Sequence, residues 1–224
     1  MMRIDCSAIL FDLDGVLVDS TAYIEQQWRD WAISKGLDPA PFLQFCHGRR
    51  AVETICLAAP QLDPEAEVAA FRQPAVDEVT LPAIPGAREL LAVLPEGRWG
   101  VVTSGARRFA LARLAAAGLP EPQVLVSAED VREGKPSPEG YLRAAQLLAT
   151  PPGSCLVIED APPGIEAARA AGATVVALIS THPAASLARA HRVVTSLADV
   201  HLVSGPDNGR SLSFELGPAP LISA

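Results

Sequence analysis

Ser7 to Phe11 alternate little and are mostly apolar, the pattern of a central parallel strand buried on both faces. From Ser20 to about Thr80 the texture changes. "TAYIEQQWRDWAISKG" sets Tyr23, Trp28, Trp31 and Ile33 at roughly helical spacing, with Gly36 as a stop. "RRAVETICLAA" and "PEAEVAAFRQPAVDEV" predict two further helices, with no strand-like run between them. From "AIPGARELLAVL" onward strands and helices alternate: "RWGVVTS", "ARRFALARLAAAG", "QVLVSA", "SPEGYLRAAQLLA", "SCLVIED", "PPGIEAARAAG" and "TVVALI". Such alternation implies an α/β fold, a parallel sheet with helices on both faces. The first strand therefore belongs with the C-terminal half, and an all-helical segment interrupts the sheet. Beyond Val203, "SGPDNGRSLSFELGPAP" predicts a turn, one short strand at Leu212 to Leu216, and a loose end.

Composition narrows the function classes. With 224 residues, 49% of them hydrophobic, the chain can bury a sizeable core, as one large domain or a domain plus an insertion. A formal net charge of −8 without a block of lysine or arginine argues against a nucleic-acid-binding surface. The longest apolar runs stop well short of a membrane span, so no membrane association is expected. The N-terminus lacks cleavable-signal architecture, because its apolar run leads straight into aspartates. Cys6, Cys46, Cys56 and Cys155 have neither metal-type nor disulfide-framework spacing and read as reduced thiols of a cytoplasmic protein.

Residues 9–20, "ILFDLDGVLVDS", end a buried strand with two carboxylates, Asp12 and Asp14, nearly side by side. Like charges this close repel, and burial adds a desolvation cost. A hard divalent cation would offset both. Three more polar signatures fall at strand ends or helix starts: Thr103-Ser104-Gly105 after "GVV", Lys135 in "EGKPSPEGY", and Glu159-Asp160 closing "CLVI". In open parallel sheets ligands bind outside the carboxyl ends of the strands, so the four form one site. Each has a bland reading by itself: a solvated turn for the D-x-D pair, a helix cap for T-S-G, a surface lysine, a capping turn for Glu-Asp. Together, in this order, they suit phosphoryl transfer. One carboxylate takes a phosphoryl group and a second moves the proton of the leaving oxygen. Magnesium neutralises phosphate charge, and a lysine and a hydroxyl hold the remaining oxygens. The metal-free protein is then expected to be less stable, with a raised pKa at Asp12 or Asp160.

"FDLDGVLVDS", "VVTSG", "GKPSPEGY" and "VIEDAPPGIEAARAAG" resemble the four signature motifs of the haloacid dehalogenase superfamily of phosphohydrolases. The resemblance covers residues 8 to about 200. It implies a Rossmann-like core at 1–19 and 83–224 and an inserted helical cap at 20–82. By position it makes Asp12 the nucleophile and Asp14 the general acid/base. Ser104, Gly105 and Lys135 would bind the transferring phosphate. Asp12, the backbone carbonyl of Asp14, and Asp160 would ligate magnesium, with Glu159 beside them holding a metal-bound water. The dehalogenases that name the superfamily lack the second aspartate, so Asp14 argues against dehalogenation.

The resemblance also bears on the substrate, expected to be a small phosphorylated metabolite. "FCHGRRAVETI" resembles the H-G-x-R cap segment of sugar-phosphate and glycerol-phosphate phosphatases and makes Arg50 and His47 substrate candidates. "TSGARR" resembles their T-S-G-x-R and adds Arg107, while Arg49 and Arg108 read as solvated. In the β-phosphoglucomutases a cap histidine gates the acid/base aspartate. Ile24 stands at that position here, and an apolar side chain cannot shuttle a proton. Phosphonate hydrolysis would need a cap lysine, and the inserted segment offers only Lys35, at the end of its first helix. An inert phosphate-binding relative would usually lack Asp12 or Asp14, and both are present.

Overall fold

The computed structural model describes residues 2–70, 81–204 and 211–218. Its centre is a six-stranded parallel sheet. In chain order the strands are β2 (Ala8–Phe11), β3 (Trp99–Val102), β4 (Leu125–Val126), β5 (Cys155–Glu159), β6 (Thr174–Leu178) and β7 (Arg192–Val194), arranged β4-β3-β2-β5-β6-β7. Every residue of β2, β3 and β5 is buried, which explains why these strands read as continuous apolar runs.

The two-residue period of a strand divides the apolar residues between two layers. Ile9 and Phe11 of β2 pack with Leu90 and Leu91 of α5 (Ala87–Val93) and with Ala110 and Leu114 of α6 (Arg107–Ala116). Ala8 and Leu10 face the opposite layer, against Tyr141 and Ala144 of α7 (Glu139–Leu147) and Ile165 and Ala168 of α8 (Pro162–Ala170). Each fully buried large side chain in these layers contributes about 1.5–3 kcal/mol.

Among the described residues between β2 and α5 lie four helices, α1 (Thr21–Ser34), α2 (Ala40–Phe45), α3 (Ala51–Ala58) and α4 (Pro64–Ala70). They carry an apolar cluster of their own: Trp28, Ala32, Phe42, Cys46, Ile55 and Ala59. The rings of Trp28 and Phe42 stack at 5.7 Å and 12°. Helix α2 was not legible in "DPAPFLQFC", too short a run to display a helical period. The helix expected over "PEAEVAAFRQPAVDEV" is seen as α4, and its remainder lies outside the described residues.

A second sheet accounts for the two ends of the chain. Strand β1 (Met2–Cys6) pairs antiparallel with β9 (Leu212–Leu216), which also pairs with β8 (Val200–Ser204). The strand expected at Leu212 to Leu216 is therefore stitched to the opposite terminus, with Met2 opposite Leu216. In β1, Ile4 and Cys6 are buried while Arg3 and Asp5 point outward. Among the described residues no helix is long and apolar enough to cross a membrane.

Candidate active site

The strand order β3-β2-β5 places three polar signatures on one edge of the sheet. Asp12 follows β2, Thr103 to Gly105 follow β3, and Glu159 and Asp160 close β5. Lys135 comes in from the loop before α7.

After Asp12 the chain turns sharply. The carbonyl of Leu13 accepts from the amides of Leu17 and Val18 at 2.9 and 3.0 Å, and Gly15 N donates to Val18 O at 2.8 Å. Gly15 has φ +82°, and a Cβ there would lie 2.2 Å from Asp160 Oδ2. Only glycine allows this turn to approach the second acidic loop so closely.

Lys135 is buried with Asp12 and Glu159. Its Nζ donates to Asp12 Oδ1, to Glu159 Oε1 at 2.6 Å and to Val102 O at 3.3 Å. Glu159 Oε1 also accepts from Tyr141 Oη at 3.0 Å. Glu159 Oε2 accepts the amides of Asp160 and Ala161 at 2.8 and 3.0 Å. Gly164 leaves room for this carboxylate, since a Cβ there would fall 1.6 Å from Oε1. Glu159 was expected to hold a metal-bound water beside the site. Both its oxygens are taken up by a cation, a phenol and two backbone amides, and it is fully buried. It anchors Lys135 from below the site.

Asp160 is held by hydroxyls, with Oδ2 accepting from Thr181 Oγ1 at 2.5 Å and Ser180 Oγ at 3.1 Å. Ser104 Oγ donates to Gly48 O at 3.1 Å, and Gly105 N donates to Thr103 Oγ1 at 3.0 Å. Asp14 accepts from Ser20 Oγ at 2.6 Å and from Arg113 Nη1 at 2.9 and 2.8 Å, one contact to each carboxylate oxygen.

The electrostatics follow from this crowding. Burial pushes the Asp12 carboxyl up to about 7; the Lys135 ammonium opposes that rise and the Glu159 charge adds to it. Asp160 is raised well above the usual carboxylate range, by burial first and then by Glu159 and Asp12, while Thr181 and Ser180 pull the other way. Burial alone would lower the Lys135 pKa, but Asp12 and Glu159 outweigh it and raise the ammonium well above its usual value.

Between the ordinary aspartate value of 3.8 and about 7, folded Asp12 keeps a proton that the unfolded chain releases. Stability present below that window is lost as pH rises through it. Urea unfolding of the metal-free protein should therefore give a lower midpoint at pH 7.5 than at pH 5. An equal or higher midpoint at pH 7.5 would contradict this electrostatic picture.

A cavity of about 330 Å³ opens over Asp12, Asp14, Thr103, Ser104 and Gly105. The helices after β2 supply its other wall, including Ile24, Trp28, His47, Arg49 and Arg50. The structure thus brings Asp12, Asp14, Ser104, Gly105, His47 and Arg50 to one cavity. Lys135 lies beneath it, bonded to Asp12. His47 Nε2 sits 3.4 Å from Glu25 Oε1. The Arg50 guanidinium is engaged by Glu53, at 2.8 Å through Nε and 2.7 Å through Nη2. Glu53 Oε1 also accepts from Gly134 N at 3.0 Å, tying this helix start to the Lys135 loop.

Arg107, expected to face the substrate, points elsewhere. Its Nη2 bonds Asp130 Oδ2 at 2.6 Å and Leu125 O at 2.8 Å. Arg108, expected to be solvated, is exposed and also lines the cavity, as does the half-buried Arg49. One helical position turns a side chain by roughly 100°, enough to exchange the roles of Arg107 and Arg108. Sequence reasoning also missed Arg113, Tyr141, Ser20 and the Ser180-Thr181 pair. For Arg113 a signal existed: it interrupts the buried stripe Ala110, Leu114, Ala117 at i, i+4, i+7 spacing.

A family model described as haloacid dehalogenase-like hydrolase matches residues 6–172. Hexitol phosphatase A of Escherichia coli (strain K12) is 38% identical over 208 residues, covering 90% of this chain and 96% of that protein. 2-Deoxyglucose-6-phosphate phosphatase 2 of Saccharomyces cerevisiae (strain ATCC 204508 / S288c) is 33% identical over 234 residues, covering 93% of this chain and 95% of that one. Among solved structures, a β-phosphoglucomutase from Clostridium difficile superposes with a TM-score of 0.73 at 25% identity, covering 86% of this chain and 92% of that one.

Proposed function

The chain belongs to the haloacid dehalogenase-like hydrolases, and from that premise we propose that it is a magnesium-dependent phosphatase acting on a sugar or polyol phosphate. The observation that carries this reading is the pairing of Asp12 and Asp14 on one cavity, beside Ser104 and Gly105 and above Lys135. Two relatives named as hexitol and 2-deoxyglucose-6-phosphate phosphatases, each aligned over nine-tenths or more of both chains, support the substrate class.

The donor set suits magnesium. Asp12 and Asp160 are buried carboxylates raised first by burial and then by neighbouring acidic groups, an environment in which a divalent cation would favour their charged forms. Among the described residues no group of three or more His, Cys, Asp or Glu side chains is arranged to hold a metal. A site of two carboxylates and the Asp14 carbonyl would still suffice for magnesium, which keeps several waters and takes few protein ligands. When bound, the ion would neutralise phosphate oxygens and fix their geometry.

The chain's own residues then do the following. Ser104, the Gly105 amide and Lys135 hold the oxygens of the phosphoryl group. Asp12 attacks phosphorus, the P–O ester bond breaks, and Asp14 gives its proton to the departing alkoxide. Asp14, now a carboxylate, takes a proton from the water that attacks the aspartyl phosphate. This frees Asp12 and inorganic phosphate. In the same reading residues 1–19 and 83–224 form the catalytic core, and 20–82 form a cap whose closure excludes bulk water. The cavity wall combines Ile24, Trp28 and Phe109 with the guanidiniums of Arg49 and Arg108, apolar surface beside hydroxyl- and anion-binding groups.

A second reading, a phosphosugar mutase, is favoured by the likeness to β-phosphoglucomutase and opposed by Ile24, which lines the cavity where a proton shuttle would be required. The test is phosphate release from a panel with magnesium and with chelator. The panel comprises hexose 6-phosphates, 2-deoxyhexose phosphates, glycerol and polyol phosphates, phosphoglycolate and β-glucose 1-phosphate. Magnesium-dependent release, strongest with a sugar or polyol phosphate, is the expected result. Isomerisation of β-glucose 1-phosphate without release would establish the mutase, and turnover of nothing would leave a phosphate-binding relative.

A further inference from the structure

The catalytic scheme leaves one buried ion unexplained. Arg113 lies on α6 in the stripe that packs Ala110, Leu114 and Ala117 against the sheet, and it is only 3% exposed. A buried guanidinium in such a stripe is expensive, and an apolar residue of similar volume is often as stabilising or more so. The cost is visible: Arg113 Nε is buried without a hydrogen-bond partner among the described residues. Stability of the helix therefore does not account for this residue. What it gains is Asp14. A single nitrogen, Nη1, reaches both carboxylate oxygens at 2.9 and 2.8 Å, while Ser20 Oγ donates to Oδ1 at 2.6 Å. The Tyr23 ring lies 6.0 Å from the guanidinium carbon.

We infer that Arg113 is a positioning residue that fixes the carboxylate of Asp14 for proton transfer to the leaving oxygen, an inference that rests on the phosphatase reading. Two contacts from Nη1 and one from Ser20 define the carboxyl plane, which a flexible Asp14 facing the cavity would otherwise not hold. Arg113 lines the same cavity, but its contacts run to the Asp14 carboxyl oxygens, and it acts through Asp14.

Leaving-group dependence separates this role from others. An alkoxide departs slowly unless it is protonated, whereas p-nitrophenolate departs readily without help. The parameter kcat/KM covers steps up to that departure, so a misaligned Asp14 should show selectively with alkyl phosphates. Sorbitol 6-phosphate and p-nitrophenyl phosphate are compared in wild type, Arg113→Met and Arg113→Lys, with thermal melts of each. Arg113→Met should lower kcat/KM for sorbitol 6-phosphate by about 10²-fold and for p-nitrophenyl phosphate by less than about 10-fold. Because one nitrogen makes both contacts, Arg113→Lys should recover part of the selective loss. If Arg113→Met does not fold, Ser20→Ala carries the comparison, with a smaller loss of the same selectivity expected.

Equal losses for the two substrates, as a structural role or direct phosphate contact would give, overturn the inference and leave the phosphatase reading standing. No loss with either substrate overturns it too. A wild type that hydrolyses neither substrate overturns the phosphatase reading itself, and the role of Arg113 with it.

Discussion

Replacing Asp12 with asparagine should abolish turnover, by about 10⁴-fold or more, while leaving the protein folded. An amide oxygen is no nucleophile toward phosphorus, so the loss falls on kcat and not only on KM. The fold should survive because Lys135 keeps its contact with Glu159 at 2.6 Å and with Val102 O. A neutral amide also avoids the burial cost that drives the Asp12 carboxyl up to about 7. In the metal-free state Asp12→Asn should therefore lose part of the decline in stability between pH 5 and pH 7.5, the remainder coming from Asp160. Phosphate release and urea midpoints at both pH values check the two parts. Turnover within about tenfold of wild type would remove Asp12 from the chemistry.

Glu159→Ala should be the most damaging change to stability, costing about 3–5 kcal/mol. Four donors lose their acceptor at once: Lys135 Nζ, Tyr141 Oη and the amides of Asp160 and Ala161. Among the described residues, the alanine variant would leave Lys135 with Asp12 as its only carboxylate partner. Glu159→Gln keeps the shape but not the charge, so it should lie between wild type and alanine in urea unfolding. Its magnesium dependence separates the anchor from a metal ligand. As an anchor, Glu159→Gln should lower stability and kcat while leaving the magnesium concentration for half-maximal activity within about threefold of wild type. A tenfold or larger rise in that concentration would return Glu159 to the metal.

Much of this architecture was legible because it rests on long, uniform patterns. The strands β2, β3 and β5 are buried on both faces, so "AILF", "WGVV" and "CLVIE" stand out as apolar runs without any partner being known. The clustering of Asp12, Ser104 and Asp160 followed from their positions at strand ends, which parallel topology brings to one edge. What stayed hidden depended on partners distant in sequence. Strand β1 is five residues long and finds its place only through β9, more than two hundred residues away. Glu159 and Asp160 are neighbours in sequence and both acidic, yet one points into the core toward Lys135 and Tyr141 while the other meets Ser180 and Thr181. Nothing in the pair itself distinguishes them, because the direction of each side chain is set by the alternation at the end of β5. Arg113 is one of several arginines in "ARRFALARLAAAG"; its place in the apolar stripe sets it apart in sequence, but its partner Asp14 shows only in the fold.

The central claim is that Asp12 carries the phosphoryl group during turnover, and rapid acid quench with ³²P-labelled substrate tests it directly. The labelled peptide recovered from the wild-type protein should contain Asp12, appear before free phosphate, and be absent from Asp12→Asn. Phosphate release without any protein-bound label at early times, or label on another residue, would contradict the account.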